Sequence, residues 1–210
     1  MSFSNCGGDF LTPGRINGNP LHNLCERACI EAKKVFDGCM MQRSIEGVVL
    51  ALSDFTPTSP TLPLNFVSAA NSSAKPEITA VDVTALPDRN GLSRVWATVS
   101  IPMTVNYTDA SGVQGVAKSS FVVDQDVVLF VPTNSIMPYT LEAVCGVVCT
   151  RGSYVAENTF SVTACVTLIL KVVMDVELMI PTYGYCQLPP CQPFNEEVCS
   201  GFFETPLYPR

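Results

Sequence analysis

Every even position from 162 to 180 is apolar: Val162, Ala164, Val166, Leu168, Leu170, Val172, Met174, Val176, Leu178 and Ile180. A repeat of two residues is the signature of a strand with one buried face. It excludes a helix, whose apolar positions recur every three to four residues. Fully extended, such a strand runs to about 60 Å, so it is expected to bend or to pass from one sheet to another.

A second segment obeys the same rule. Across 94–107 every odd position is apolar (Val95, Ala97, Val99, Ile101, Met103, Val105, Tyr107), and Arg94, Thr98, Ser100, Thr104 and Asn106 alternate with them. Trp96 and Pro102 break the pattern, and Pro102 predicts an edge or a bulge because proline cannot donate to a ladder. Asp109-Ala110-Ser111-Gly112 reads as a hairpin turn. Further strands are predicted over 44–52, 113–123, 126–131 and 140–149. In the last of these Cys145 and Cys149 share a face with Leu141, Ala143 and Val147. They cannot bond each other, since four strand residues span about 13 Å and a disulfide needs Cα atoms within roughly 7 Å.

Elsewhere the pattern is weaker. Residues 21–43 fit a helical stripe or an extended strand equally well. Residues 53–76 form a Pro/Ser-rich loop in which Leu64 and Phe66 should dock on the core. The chain therefore predicts an all-β fold, an antiparallel β-sandwich or open barrel with extended cysteine-bearing N- and C-terminal arms. The arms are 1–43, with Cys6, Cys25, Cys29 and Cys39, and 181–210, which is rich in Pro and Cys; the core is 44–180.

Composition narrows the function. Charged residues make up 15% of the chain against an ordinary value of about 25%, which suits a surface largely covered by something else. The net charge is −7 and the Lys and Arg residues form no run, so neither nucleic acid nor anionic lipid is an expected partner. The start, Met1-Ser2-Phe3-Ser4-Asn5-Cys6-Gly7-Gly8, has no basic or apolar region of a signal peptide. The apolar run 162–180 holds Lys171, Asp175 and Glu177, which disfavours a membrane span. No cofactor is expected.

Catalytic signals are thin. The single histidine, His22, lies in a Gly/Asn/Pro-rich stretch, away from any orienting neighbour. Asp124/Asp126 and Asp175/Glu177 are pairs on one strand face, where solvated acids are the ordinary explanation. An enzyme is not expected. Zinc is an alternative through His22, Cys25, Cys29 and Cys39, although no C-x-x-C occurs.

The ten cysteines point to crosslinking. Cys6, Cys25, Cys29 and Cys39 lie early; Cys145, Cys149, Cys165, Cys186, Cys191 and Cys199 lie late, with none between. Cys6 on a Gly-flanked arm and Cys186, Cys191 and Cys199 in the tail are placed to reach neighbouring subunits. Cys145, Cys149 and Cys165 divide between crosslinks and small buried hydrophobes. Cysteine richness without a signal peptide is reconciled if the thiols stay reduced, bind metal, or oxidise after assembly or cell lysis.

Two features resemble a family. The run Cys29-Ile30-Glu31-Ala32-Lys33-Lys34-Val35-Phe36-Asp37-Gly38-Cys39 before a β-rich middle looks like clostridial and bacillar spore-surface proteins. Val99-Ser100-Ile101-Pro102-Met103-Thr104-Val105-Asn106-Tyr107-Thr108-Asp109, then Asp126-Val127-Val128-Leu129-Phe130-Val131-Pro132, then Ile180-Pro181-Thr182-Tyr183-Gly184-Tyr185 are similar to the SPOCS-type β-domain of spore coat assembly proteins. The resemblance covers about residues 29–185, and the cysteine-rich ends are closer in style to exosporium and spore-appendage subunits. It implies a structural protein of the coat, exosporium or appendage, made in the mother cell and oxidised as that cell dies. The expected partners are further copies of the chain and other spore-surface proteins. The alternative is a soluble adaptor module of the coat.

Overall fold

In the computed structural model, residues 18–22, 24–132 and 135–186 are described. They contain eight strands and no helix: β1 (Glu26–Ala51), β2 (Ser53–Thr56), β3 (Asn65–Asn71), β4 (Glu77–Ala85), β5 (Leu92–Thr108), β6 (Gln114–Phe130), β7 (Thr140–Ala156) and β8 (Thr159–Thr182). One sheet holds them all, in the order β1-β8-β7-β3-β5-β6-β2, with β4 beside β5. The chain divides into two compact units, Lys33–Asp175 and Met1–Ala32 with Val176–Arg210.

In the larger unit the two alternating segments form the core. All seven odd residues of β5 from Val95 to Tyr107 are buried, as are the even residues of β8 from Phe160 to Met174. Each buried Val, Leu or Ile contributes about 1.5–3 kcal/mol relative to an exposed one, so these rows fix which way each strand faces. Trp96, which broke the pattern, lies on the opposite face and is 38% exposed. Pro102 accepts a hydrogen bond from Ser72 N on its carbonyl at 2.9 Å. A strand residue turns its nitrogen and carbonyl to the same side, so its missing N–H faces the interval between β3 and β4, where no ladder partner is needed.

β5 and β6 pair without interruption from Leu92↔Phe130 to Thr108↔Gln114. The separate strands predicted over 113–123 and 126–131 are therefore one. Parity explains the continuity. Asp124 and Asp126 both face outward, where Thr98 Oγ1 donates to Asp124 at 2.7 Å and Arg94 Nε to Asp126 at 2.7 Å. Gln125 turns inward and is buried.

The expected boundary of the N-terminal arm at residue 43 falls inside β1, so 26–43 belongs to the sheet. Residues 21–43 contain strand, not helix: from Glu26 on they form β1 beside β8, and this tertiary neighbour decides between two locally compatible periods. Gln42 Nε2 donates to Thr167 at 3.3 Å and Leu52 N to Asn158 O at 2.7 Å, so β1 and β8 run antiparallel. Residues 53–76, predicted as loop, contribute β2 and β3 to the sheet. Leu64 is 1% exposed, and Phe66 meets Phe160 edge-to-face at 5.3 Å.

Edge strands β1 and β2 are consecutive in the chain, so the sheet curls within this unit. β2 pairs with β6 at Ser53↔Lys118 and Thr56↔Val116. Along the same seam Ser119 Oγ donates to Ala51 O at 2.8 Å and Phe130 N to Asp37 Oδ2 at 2.7 Å. The expected all-β fold, an antiparallel β-sandwich or open barrel, is thus one antiparallel sheet of eight strands among the described residues.

At the β5–β6 turn, Asp109 organises the backbone. Its carboxylate accepts N–H bonds from Val113 at 2.8 Å, Ser111 at 2.9 Å and Thr61 at 3.1 Å. The Val113 bond leads in holding this carboxyl below the usual carboxylate range, against the opposing effect of burial. A depressed folded value contributes stability above the unfolded value, about pH 4, that is lost as pH falls through the folded one. Asp109→Asn sets an NH₂ or a weaker acceptor against these donors. The variant is expected to be less stable than wild type at pH 7, and urea titrations at descending pH should show the gap closing below about pH 4.

Candidate crosslinking site

The sheet sorts the cysteines by parity and depth. In the larger unit, Cys145 and Cys149 lie on the inner face of β7 with Leu141, Ala143 and Val147, as the alternation predicts. Cys149 is fully buried, opposite Ala164 of β8. Burial, reinforced by the neighbouring Cys165 thiol, pushes its pKa up to about 11. Cys145 is half-buried and burial raises its pKa also. Cys39 on β1 is half-buried; burial raises it, partly offset by a hydrogen bond with the Leu170 backbone. The thiolate is the nucleophile in disulfide exchange, so these three keep their protons at neutral pH and behave as small hydrophobes.

Cys165 belongs to the other class. It sits opposite Val148 but occupies an odd position of β8, on the outer face, and is exposed. Its parity was readable: the alternation that buries the even residues of β8 turns Cys165 outward. Cys149 and Cys165 are close neighbours on adjacent strands yet face opposite ways, which keeps them from bonding.

Among its described residues the smaller unit carries Cys25, Cys29 and Cys186. Cys25 is disulfide-bonded. It precedes β1, where its N donates to Thr182 O of β8 at 2.8 Å, and its sulfur lies beside Gly184. Close by, the Tyr183 hydroxyl donates to Pro20 O. Cys29 on β1 and Cys186 beyond β8 are exposed. Cys6, Cys191 and Cys199 lie outside the described residues. No family model, curated protein or solved structure matches this chain.

The remaining candidates have ordinary surroundings. A disulfide-bonded Cys25 offers no thiolate to the His22, Cys25, Cys29 and Cys39 zinc set. Among the described residues no three His, Cys, Asp or Glu side chains gather as a metal ion requires. Asp126 is held below the usual carboxylate range by its hydrogen bond to Arg94. With Asp124 it forms an exposed, paired strand surface. Asp175 and Glu177 on β8 are exposed as well. No described helix is long and apolar enough to cross a membrane.

Proposed function

We propose that this chain is a non-catalytic, self-assembling structural protein of the endospore surface, in a coat or exosporium layer or an appendage fibre, locked by intermolecular disulfides. The segregation of its cysteines supports the reading: in the larger unit Cys39, Cys145 and Cys149 are buried or half-buried while Cys165 is exposed, and in the smaller unit Cys29 is exposed. Thiols inside the core cannot reach another subunit; thiols on its outside can. Spore location rests on the resemblance of residues 29–185. It fits synthesis in the mother-cell cytoplasm, oxidation on lysis, and partners that are further copies and other spore-surface proteins, without nucleic acid or membrane insertion. The adaptor alternative has one feature in its favour, the edge of β4 that has no second ladder partner among the described residues.

Negative-stain electron microscopy of the purified protein, with and without strong reductant, tests this. Ordered sheets or filaments that disperse only when reductant is combined with heat or denaturant are expected. Dispersed monomers under both conditions would overturn it.

A further inference from the structure

Strand β4 has β5 as its only ladder partner among the described residues. Seven of its nine residues are exposed. The direction of its backbone groups follows from two hydrogen bonds. Leu86 N donates to Leu92 O at 3.0 Å and Ser72 N to Pro102 O at 2.9 Å, so the even residues of β5 face this side. Their partners Ala80, Asp82 and Thr84 face back toward β5. Backbone direction alternates along a strand, which leaves the N–H and C=O groups of Val81, Val83 and Ala85 pointing outward.

The side chains of these three residues share the core-facing side of the sheet, through the pairs Val81↔Ala97, Val83↔Val95 and Ala85↔Ser93. Val81 is nevertheless 47% exposed. Among the described residues this edge has no ladder partner, although β4 also approaches β7 and Val83 is half-buried, so Val81 and Ala85 are the exposed members of an apolar row beside unpaired backbone. Soluble proteins blunt such edges with Lys, Pro or a bulge. Between 77 and 85 there is no Lys or Pro, and the bulge at Ile78/Ala80 lies before the outward-facing stretch.

We propose that this edge pairs antiparallel with the same edge of a second copy of the chain, centred on Val83. In that register Val83 faces Val83 and Val81 faces Ala85 of the other copy, exchanging roughly six backbone hydrogen bonds. Asp82 comes opposite Thr84, a hydroxyl that already donates to Asp82 in its own chain at 3.3 Å. The nearby registers are worse. Centring on Asp82 sets two carboxylates face to face, and centring on Val81 places Val83 against Thr79 in the bulge. The contact is isologous, the self-complementary kind a two-fold requires. It rests on the self-assembly reading but not on its disulfides.

Sedimentation velocity of the full chain, reduced and alkylated, tests the contact. Wild type is expected as a dimer with slowed amide exchange at Val81, Val83 and Ala85. Val81→Lys, an edge charge, and Val81→Pro, which removes an N–H with no ladder partner among the described residues, should each weaken dimerisation at least tenfold with unchanged circular dichroism. A monomeric wild type, or a dimer whose three amides exchange as openly as those of a surface loop, overturns the proposal whether or not the variants fold. The two readings separate. A disulfide ladder on a non-reducing gel from a protein monomeric when reduced sinks the β4 contact alone. A reduced dimer that never forms the ladder sinks the crosslinking alone.

Discussion

Phe160→Ala is expected to destabilise the larger unit by about 3–5 kcal/mol, the usual cost of emptying an aromatic site in a packed core. Phe160 is fully buried. Its ring meets Phe66 at 5.3 Å and Tyr154 at 6.2 Å, both edge-to-face, and such pairs add about 0.5–1.5 kcal/mol beyond burial. The site also joins elements distant in sequence: Phe66 from β3, Tyr154 from β7 and Phe160 at the start of β8. Its loss removes the Phe66 contact as well as leaving a cavity. For a chain of this size each kcal/mol lowers the melting temperature by about 2–4 °C, so a fall on the order of 10 °C is expected in calorimetry. A fall of one or two degrees would mean that this aromatic group does not hold β3 to the core.

The second large effect concerns thiol chemistry. With a pKa of about 11, Cys149 is thiolate to roughly one part in a thousand at pH 8, and it is fully buried. Cys165, one register step away on β8, is exposed. Timed alkylation of the folded, reduced protein, followed peptide by peptide in a mass spectrometer, should label Cys165 on the order of 100-fold faster than Cys149. Denaturant should remove most of the difference. The substitutions should divide the same way. Cys149→Ser buries a hydroxyl and should cost about 1–3 kcal/mol, whereas Cys165→Ser should stay within about 0.5 kcal/mol. Equal labelling rates in the folded state would show that β7 and β8 do not bury Cys149, and the sorting of thiols into core and surface sets would fall with it.

Where a strand carried its own period, its place in the fold was legible. The rows of β5 and β8 bury the residues that their alternation selects, and Cys145 and Cys149 share the face their spacing assigned. Reading failed where local signals competed. Asp124 and Asp126 resembled a break in β6, but i and i+2 face the same way, and Thr98 and Arg94 on β5 receive both acids outside the core. Residues 21–43 fitted two periods, and the ladder with β8 settled the choice. The proline-rich passage 53–76 hid β2 and β3, whose strand character comes from pairing with β6, β5 and β7 more than from their own composition.

By itself the sequence determined that this chain is all-β, which rows of side chains face inward, and that the middle of the chain folds without cysteine. Those properties follow from a two-residue period, which any strand must obey. Only the tertiary structure decided that β1 and β2 both lie along β6, that Cys149 is sealed to full burial, and that β4 has a single ladder partner among the described residues. These depend on which strands lie side by side, and the seam along β6 joins residues distant in the chain, 68 positions apart for Ser119 and Ala51 and 93 for Phe130 and Asp37.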